Sequence, residues 1–162
     1  MLHERTAGRA LLVTPSRQTL LVLGQDPNDL ERGRFYWTPG GGLDPGESLE
    51  DATRRELREE VGHVAGDLGA IVLERVSEFD FGGRRLRQTE SFFVVEVDSP
   101  FRAAPSALSA LEDDAIIDFQ WLTPEEMRAT PLSVYPLCLP DLIDEVASNG
   151  RPQSPWVDDG AR

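Results

Sequence analysis

The sequence predicts one α/β domain, in which strands precede and follow a single well-specified helix. Apolar runs of strand length lie on both sides of residues 48–62. Within residues 48–62, Leu49, Thr53, Leu57 and Val61 recur every four residues, a spacing typical of the buried stripe of an amphipathic helix. Further helix signals follow near the end of the chain. With 162 residues, 40% of them hydrophobic, the chain is long enough to bury one core. We assign residues 1–150 to one domain and expect a mobile tail over residues 151–162.

The N-terminal part predicts a hairpin followed by a short aromatic strand. Residues 9–13 and 19–23 are apolar runs, and the segment Thr14–Gln18 between them is a turn signal. Residues 24–34 are polar and predict a loop. Residues 35–38, Phe-Tyr-Trp-Thr, predict a brief strand that ends at the following proline.

A glycine run and a capped helix come next. Gly40–Gly42 permit close backbone approach and positive φ, so they either turn carbonyls toward a ligand or form a plain flexible turn. Ser48 is a good N-cap with Asp51 three residues later, and Gly62 is well placed to end the helix. The stripe expected to be buried consists of Leu49, Thr53, Leu57 and Val61.

The second half of the chain predicts a second hairpin. Residues 70–81 and 86–97 are rich in strand formers, and Phe81–Arg84 between them is a hairpin-turn signal. Phe92–Val95 predicts a central strand that is buried on both faces. Residues 100–111 are rich in Ala, Ser and Pro and predict a loop or a short helix.

A strand and two helices are expected before the tail. Residues 116–121 predict a strand, and Thr123–Glu126 is a helix start with proline at the first helical position. Residues 137–148 predict the last helix. Within the tail, Trp156 is the residue able to dock on the domain.

Charge and cysteine content exclude several classes of partner. A net charge of −13 leaves no broad basic face for a nucleic-acid polymer, although bound metal ions can still offset the charge of a small phosphate ester. Cys138 is the single cysteine, so no internal disulfide is expected and a reducing, cytoplasmic setting is favoured. No apolar run approaches the length of a membrane span or of a signal peptide core, so no membrane partner is expected.

Three glutamates on the predicted helix indicate a cation site. Glu56, Glu59 and Glu60 stand at positions i, i+3 and i+4, so they share one helix face with Cβ atoms roughly 5–6 Å apart. Carboxylates so close repel one another unless cations lie between them, and oxygen ligands suit Mg²⁺, Mn²⁺ or Ca²⁺ better than zinc. The alternative is a solvated acidic face on an amphipathic helix.

The whole string from Gly41 to His63 resembles the Nudix box, G-x5-E-x7-R-E-U-x-E-E-x-G-U, where U is a bulky aliphatic residue. The residues in register are Gly41, Glu47, Arg55, Glu56, Leu57, Glu59, Glu60 and Gly62. His63 departs from the last aliphatic position, which affects local packing more than chemistry. The resemblance implies the Nudix fold, a mixed β-sheet sandwiched between helices, with the box forming a loop–helix–loop.

The resemblance also implies a metal-dependent pyrophosphohydrolase that cleaves a nucleoside diphosphate linked to another group, with Mg²⁺ or Mn²⁺ as cofactor. Glu59, Glu60 and the Gly41 carbonyl are the expected metal ligands, and Glu56 is a further ligand or the general base. Arg55 is expected to orient a carboxylate. Two further roles stay open. Glu47 either binds metal through water or braces the loop. The general base is either Glu56 or a carboxylate of a later loop, at Glu112 or Asp113; otherwise Glu112 and Asp113 form only an exposed acidic turn.

Residues outside the box leave the substrate open. The aromatic strand either stacks on a nucleobase or belongs to the core, and its residues are Phe35, Tyr36 and Trp37. The arginines near the second hairpin turn either hold a phosphate or are solvated, and they are Arg84, Arg85 and Arg87. At the position where Nudix subfamilies carry a distinguishing Pro or Tyr, this chain has Glu78-Phe79, so no subfamily is assigned. A catalytically silent nucleotide-sensing module on the same fold is the alternative function, which the complete carboxylate set disfavours. The oligomeric state is open, with a homodimer as one option.

Overall fold

A mixed β-sheet lies between helices on both of its faces, which confirms the predicted α/β class. The structure is a computed structural model that describes residues 1–159. The strands are β1 (Leu2–Val13), β2 (Thr19–Gln25), β3 (Arg34–Trp37), β4 (Gly40–Gly42), β5 (Ile71–Phe81), β6 (Arg84–Glu96), β7 (Ile116–Leu122) and β8 (Trp156–Asp158). The helices are α1 (Leu49–Glu56), α2 (Ala110–Ala115), α3 (Pro124–Ala129) and α4 (Leu139–Asn149), with a 3₁₀ turn at Leu30–Arg32 and a π-helical turn at Leu57–Val61.

The strand order across the sheet is β3-β2-β1-β6-β5-β8, with β4 beside β1 and β7 beside β2. The β1 and β6 strands pair in parallel over the whole length of β1, from Leu2 opposite Arg85 to Val13 opposite Glu96. The β5 and β6 strands form an antiparallel hairpin, as predicted. Its turn is Gly82-Gly83, and both residues have positive φ, 61° and 76°, as a two-residue hairpin turn requires.

The first predicted hairpin is present but short. The Thr14 N–H donates to the Gln18 carbonyl at 3.0 Å, and Val13 lies opposite Thr19, so the predicted turn is confirmed. Farther from the turn, β4 and not β2 pairs with this edge of β1, with Arg9 opposite Gly40, while β6 pairs with the other edge along its whole length. A turn signal fixes where two strands meet, whereas the parallel partner of β1 lies more than 80 residues away and leaves no local signal.

The α1 helix has the predicted ends. Ser48 Oγ accepts a hydrogen bond from the Asp51 N–H at 3.1 Å, and Gly62 follows the π-helical turn with φ 76°. Thr53, Leu57 and Val61 are buried, and Leu49 at the start of the stripe is half-buried. The π-helical turn is the difference from the prediction, and it alters the angular spacing of the side chains that follow Glu56.

Two apolar cores lie on opposite faces of the sheet. The core beneath α3 and α4 is built around Leu11, Leu21, Phe92, Leu139, Leu142 and Ile143. The core beneath α1 is built around Ala10, Leu12, Leu20, Leu57 and Val61. Because successive side chains of a strand point to opposite faces, the long β1 strand contributes to both cores.

The segment after α4 differs from the predicted mobile tail. Trp156–Asp158 pair in parallel with β5, and Trp156 packs against the core beneath α4. Trp156 therefore docks, as the sequence allowed, and it brings a strand with it. The remaining tail residues, 160–162, lie outside the described part of the chain. None of the helices within residues 1–159 combines the length and apolar character needed to cross a membrane.

Candidate active site

The structure contains a cavity of about 950 Å³. Its walls come from β1, β3, β5 and β6, from the box helix, from α2 and from the loop that carries Tyr135. One end holds acidic side chains of the box, and we call it the carboxylate end. The other walls carry arginines, aromatic rings and polar side chains of β5 and β6, and the part formed by β1, β5 and β6 is called the sheet floor.

Three glutamates converge at the carboxylate end. Glu56, Glu60 and Glu112 each present an oxygen, and these oxygens lie within 4.8 Å of one another. Glu112 reaches the group because a capping box fixes the start of α2: the Ser109 N–H donates to Glu112 Oε1 at 3.0 Å, and the Glu112 N–H donates to Ser109 Oγ at 3.2 Å. The later carboxylate that the sequence offered as an alternative base therefore lies beside the box glutamates.

Glu60 is the most deeply buried member of the group, with 2% of its surface exposed. The Gly40 N–H lies 3.4 Å from Oε2, and Oε1 has no hydrogen-bond partner among the described residues. Burial raises the pKa of Glu60 to about 8, and the carboxylates of Glu112 and Glu56 act in the same direction while Arg9 opposes them. Burial also raises the pKa of Glu56. Within this group Arg55 pairs with Glu56 only, so the three converging carboxylates remain incompletely neutralised, and such a cluster of oxygen donors fits a hard divalent cation.

The glycine run closes against this group. Gly40 has φ 137°, a conformation that favours glycine. A Cβ atom at Gly41 would collide with the Glu56 carboxylate. Only glycine therefore lets the backbone of this strand approach the acidic side chains so closely.

Arg55 connects the carboxylates of the box. Its guanidinium donates to both oxygens of Glu47 at 2.9 Å, to Glu56 at 3.0 Å, to Glu59 at 3.2 Å and to the Gly42 carbonyl at 2.9 Å. The hydrogen bonds from Arg55 lower the pKa of Glu47 to about 2. Arg55 thus contacts the Glu56 carboxylate and, through Glu47, links the loop before α1 to the helix; its role in orienting a carboxylate for catalysis stays a prediction.

Glu59 lies beside the group and not within it. Its carboxylate is bound by Arg55, and it is absent from the cluster of Glu56, Glu60 and Glu112 and from the cavity lining. An ideal α-helix would place Glu56, Glu59 and Glu60 on one face, but the π-helical turn from Leu57 changes that geometry. Asp113, the second candidate in the later acidic segment, is exposed and also lies outside the cluster.

Strand alternation separates the predicted aromatic residues. Phe35 and Trp37 line the cavity. Tyr36 points to the opposite side, where it is buried in the core beneath α4 and its hydroxyl donates to Gln120 Oε1 at 2.6 Å. The structure thus places Tyr36 in the core, because neighbouring residues of a strand point to opposite faces.

The same rule divides the three arginines of β6. Arg84 lines the cavity. Arg85 lies on the other face and contacts Asp80 at 3.4 Å, and Arg87 lies 3.9 Å from Glu78. Neither Arg85 nor Arg87 lines the main cavity, so the structure does not support a phosphate contact for them there.

Several lining residues were missed by the sequence argument. Glu90 on the sheet floor is 4% exposed and accepts from Arg9 at 2.8 Å and from Arg75 at 2.9 Å. Arg9 also donates to the Gly40 carbonyl at 3.0 Å, and Arg75 lies 3.3 Å from Asp158 of β8. The sequence carried no signal for Glu90, because residues 87–91 of β6 are polar at every position and their faces could not be assigned before the strand register was known.

An aromatic wall borders the cavity. The Phe35 ring centroid lies 5.3 Å from that of Trp37 and 5.9 Å from that of Tyr135, and Trp37 lies 6.3 Å from Phe81. The Arg32 guanidinium stands 4.3 Å above the Phe35 ring. Away from the cavity, His63 replaces the last aliphatic residue of the box by stacking on Phe101 with ring centroids 5.2 Å apart.

Known proteins and a family model match this chain in sequence. A family model described as the NUDIX domain matches residues 4–137. Nucleoside triphosphatase NudI of Escherichia fergusonii is 28% identical over 113 residues, which cover 64% of this chain and 74% of that protein. Nucleoside triphosphatase NudI of Salmonella newport is 31% identical over 100 residues, which cover 59% of this chain and 66% of the relative.

Solved structures resemble the fold. The MutT NUDIX hydrolase from Burkholderia pseudomallei superposes with a TM-score of 0.58 at 20% identity, and the match covers 89% of this chain and 98% of that one. The MutT protein from Methanosarcina mazei Go1 gives a TM-score of 0.57 at 20% identity, covering 88% and 91%. At this identity the likeness concerns the arrangement of strands and helices alone.

Proposed function

The chain belongs to the NUDIX domain family and is a Nudix hydrolase, and from this premise we propose that it is a metal-dependent pyrophosphohydrolase acting on nucleoside triphosphates. The observation that carries the proposal is the convergence of Glu56, Glu60 and Glu112, with one buried oxygen of Glu60 left without a protein partner. A silent nucleotide-sensing module, the alternative, has no use for a set of buried carboxylates.

Mg²⁺ or Mn²⁺ is the proposed cofactor, held by Glu60 together with Glu56 or Glu112, and the one of these two that is not a ligand is the proposed base. When bound, such a cation offsets phosphate charge, orients the diphosphate and lowers the pKa of a coordinated water. Glu59 and the Gly41 carbonyl are proposed as further ligands, because Glu59 shares the Arg55 guanidinium with Glu56 and Gly41 packs against the Glu56 carboxylate.

The protein groups supply positioning and proton transfer. Arg55 orients the Glu56 carboxylate from one side, and the Ser109 cap orients that of Glu112 from the other. Either carboxylate then stands where it accepts the proton of the attacking water. A general base typically contributes about 10²–10⁴-fold to the rate, so the two residues are distinguishable by substitution.

The substrate class follows from the relatives and from the charge of the cavity walls. Both NudI relatives are named nucleoside triphosphatases. The cavity lining contains five arginines and five glutamates, namely Arg5, Arg9, Arg32, Arg75 and Arg84 with Glu56, Glu60, Glu78, Glu90 and Glu112. Glu90 already engages Arg9 and Arg75. Arg5, Arg32 and Arg84 are therefore the guanidinium groups that we propose bind a small polyphosphate, with a bound cation offsetting the glutamates at the carboxylate end. Arg84 and Trp37 remain proposed substrate contacts, for phosphate and base respectively.

The decisive experiment is a product assay. The purified protein is incubated with ribo- and deoxyribonucleoside triphosphates, nucleoside diphosphates, sugar nucleotides and dinucleotides, each with Mg²⁺, Mn²⁺ or EDTA. We expect a nucleoside monophosphate and pyrophosphate from triphosphates in the presence of metal, and no turnover in EDTA. Full activity in EDTA, or hydrolysis of sugar nucleotides or dinucleotides alone, would contradict the proposal.

The proposal includes a cytoplasmic setting and a small-molecule substrate as the partner. Neither a nucleic-acid polymer nor a membrane has a place in it. Whether two copies of the chain associate is a separate question, which sedimentation of the purified protein answers.

A further inference from the structure

Unsatisfied polar atoms are concentrated in one place. Within the described residues, the buried side-chain oxygens without a hydrogen-bond partner are Thr19 Oγ1, Glu60 Oε1, Ser77 Oγ and Gln88 Oε1. Three of these residues, Glu60, Ser77 and Gln88, line the cavity. Burying a polar atom without a partner is costly, so fold stability does not account for Ser77 and Gln88. Their partners are expected to come from outside the chain.

Ser77 and Gln88 belong to one row across the sheet floor. Ser77 of β5 lies opposite Gln88 of β6, and Gln88 lies opposite Arg5 of β1. Gln88 is 2% exposed and Ser77 is 4% exposed. A carboxamide and a hydroxyl side by side offer donors and acceptors in a small area. This pair of side chains is complementary to a ligand edge that carries a hydrogen-bond donor next to a hydrogen-bond acceptor.

The adjacent row across the sheet has no free hydrogen-bonding side chain to offer a ligand, because its carboxylate is already paired. Ala7 lies opposite Glu90, and Glu90 lies opposite Arg75. Glu90 is engaged by Arg9 and Arg75. This paired row lies on the side of Arg9, which in turn contacts Gly40 next to the carboxylate end. Along β6, the Gln88 row is two residues, or about 6.6 Å, farther from the carboxylates.

The cavity also offers stacking surfaces. Phe35, Trp37, Phe81 and Tyr135 all line it, and the rings lie against one another at centroid distances of 5.3–6.5 Å. Aromatic faces favour a planar heterocycle over a sugar. A cavity of about 950 Å³ lies within the size range of sites that enclose a small ligand.

We propose that Gln88 and Ser77 form the polar floor of a nucleobase subsite and determine which base the protein prefers. The inference rests on the proposed function in one respect, namely that the ligand is a nucleotide whose phosphates lie at the carboxylate end. The amide of Gln88 and the hydroxyl of Ser77 bind the hydrogen-bonding edge of the base. The aromatic wall packs against the ring of the base. The row that contains Glu90 lies between the base and the phosphates of the bound nucleotide.

Because Ser77 Oγ and Gln88 Oε1 have no hydrogen-bond partner among the described residues, a ligand-binding role and a structural role predict different effects of substitution on the melting temperature. Gln88→Met keeps the length of the side chain and removes both polar ends, and Ser77→Ala removes one hydroxyl. Because neither residue bonds to the described protein through the buried oxygen, we expect the melting temperature of both variants to stay the same or to rise. A side chain that stabilises the fold would instead lower the melting temperature when replaced.

The test measures base selectivity by two independent readouts. Binding of the four ribonucleoside 5′-monophosphates is titrated calorimetrically in EDTA, and kcat/KM is measured for the four ribonucleoside triphosphates with Mg²⁺. The wild type is expected to prefer one or two bases. Each variant is expected to reduce affinity and kcat/KM for the preferred base about 10-fold, the scale of one buried hydrogen bond, and to level the differences between bases. Gln153→Met and Ser154→Ala, the same substitutions at exposed positions, should leave both profiles unchanged.

The outcomes separate the subsite from the proposed function. Base-selective binding that the variants abolish, without any hydrolysis, supports the subsite and contradicts the enzymatic proposal. Hydrolysis whose base preference is unaltered in both variants overturns the subsite and leaves the enzymatic proposal standing. The subsite is also overturned if the wild type shows no base preference in either binding or hydrolysis, because Gln88 and Ser77 would then bind only water. It is overturned as well if the melting temperature falls in both variants, because the two residues would then stabilise the fold. Should Gln88→Met fail to fold, Ser77→Ala decides by the same criteria.

Discussion

Glu60 and Glu90 are buried carboxylates of the same cavity, and their surroundings are opposite. Glu90 on the sheet floor lies between two guanidinium groups, Arg9 at 2.8 Å and Arg75 at 2.9 Å. Glu60 at the carboxylate end has one distant amide N–H, at 3.4 Å, and two neighbouring carboxylates instead. Both residues are less than 5% exposed, so burial alone does not distinguish them.

The difference shows which of the two is adapted for structure and which for a ligand. A buried charge is tolerated when paired, and removing one partner of such a pair is destabilising. A buried carboxylate without a counter-charge is held at a cost to the fold, and burial raises its pKa, to about 8 for Glu60. Strongly perturbed groups of this kind gather at functional sites. The two ends of the cavity should therefore respond oppositely to substitution.

The largest effect is expected from Glu60→Gln. The neutral amide has nearly the same shape and removes an unpaired buried charge, so the melting temperature in EDTA should be equal or higher. Turnover of the preferred triphosphate should fall about 10³-fold, the upper scale for loss of one electrostatic group at a reacting centre. Steady-state kinetics with a Mg²⁺ titration measure this, with exposed Glu50→Gln on the same helix as the control. Unchanged kcat would mean that the cation is held elsewhere.

The next prediction separates the two candidate bases. Loss of the base should reduce kcat about 10²-fold, and hydroxide at alkaline pH should restore part of it. Loss of a ligand should respond instead to added Mn²⁺. We expect Glu56→Gln to show the alkaline rescue and Glu112→Gln the smaller effect. A more severe and more pH-sensitive Glu112→Gln variant would transfer the role of base to α2.

At the paired end, Glu90→Gln should affect stability more than chemistry. The amide cannot neutralise Arg9 and Arg75, so the free energy of unfolding should fall by about 2 kcal/mol, less than for full loss of a partner because one hydrogen bond can remain. Urea denaturation measures the change. Folded protein should retain a kcat within a few-fold of the wild type. A loss of kcat comparable to that of Glu60→Gln would show that the two ends do not divide the roles as described.

The smallest effect concerns pH and the Glu47–Arg55 pair. Arg55 lowers the pKa of Glu47 from its ordinary value of 4.5 to about 2, so the folded state binds its proton less readily than the unfolded state. The stabilisation from this carboxylate is therefore present above pH 4.5 and is lost as the pH falls toward 2. Glu47→Gln should lower the unfolding free energy by about 1 kcal/mol at pH 7, and the difference should shrink at pH 3. Urea curves at both pH values decide it; an equal difference at both would exclude this linkage.

Local chemistry in the sequence determined the box end of the molecule. The Ser48 cap, the terminal Gly62 and the hairpin turn at Gly82-Gly83 all depend on residues that are close together in the sequence, and the structure shows each of them. The same holds for the contacts of Arg55 with Glu47 and Glu56. Spacing also placed Glu56 and Glu60 at one site. Glu59 lies beside that group and not within it, because the structure has a π-helical turn where the prediction assumed an ideal helix.

Tertiary structure alone decided the sheet floor and the position of the tail. The partners of Glu90 come from β1 and β5, and Arg75 joins them to Asp158 near the other end of the chain. Alternation along β6 assigned Arg84 to the cavity and Arg85 to the opposite face, and the sequence gives no means of choosing between these faces before the sheet is assembled. Such contacts depend on register between strands that are remote in sequence, where a shift of one residue would reverse every side chain. A helix carries its geometry within itself, whereas a sheet acquires its geometry only from its neighbours.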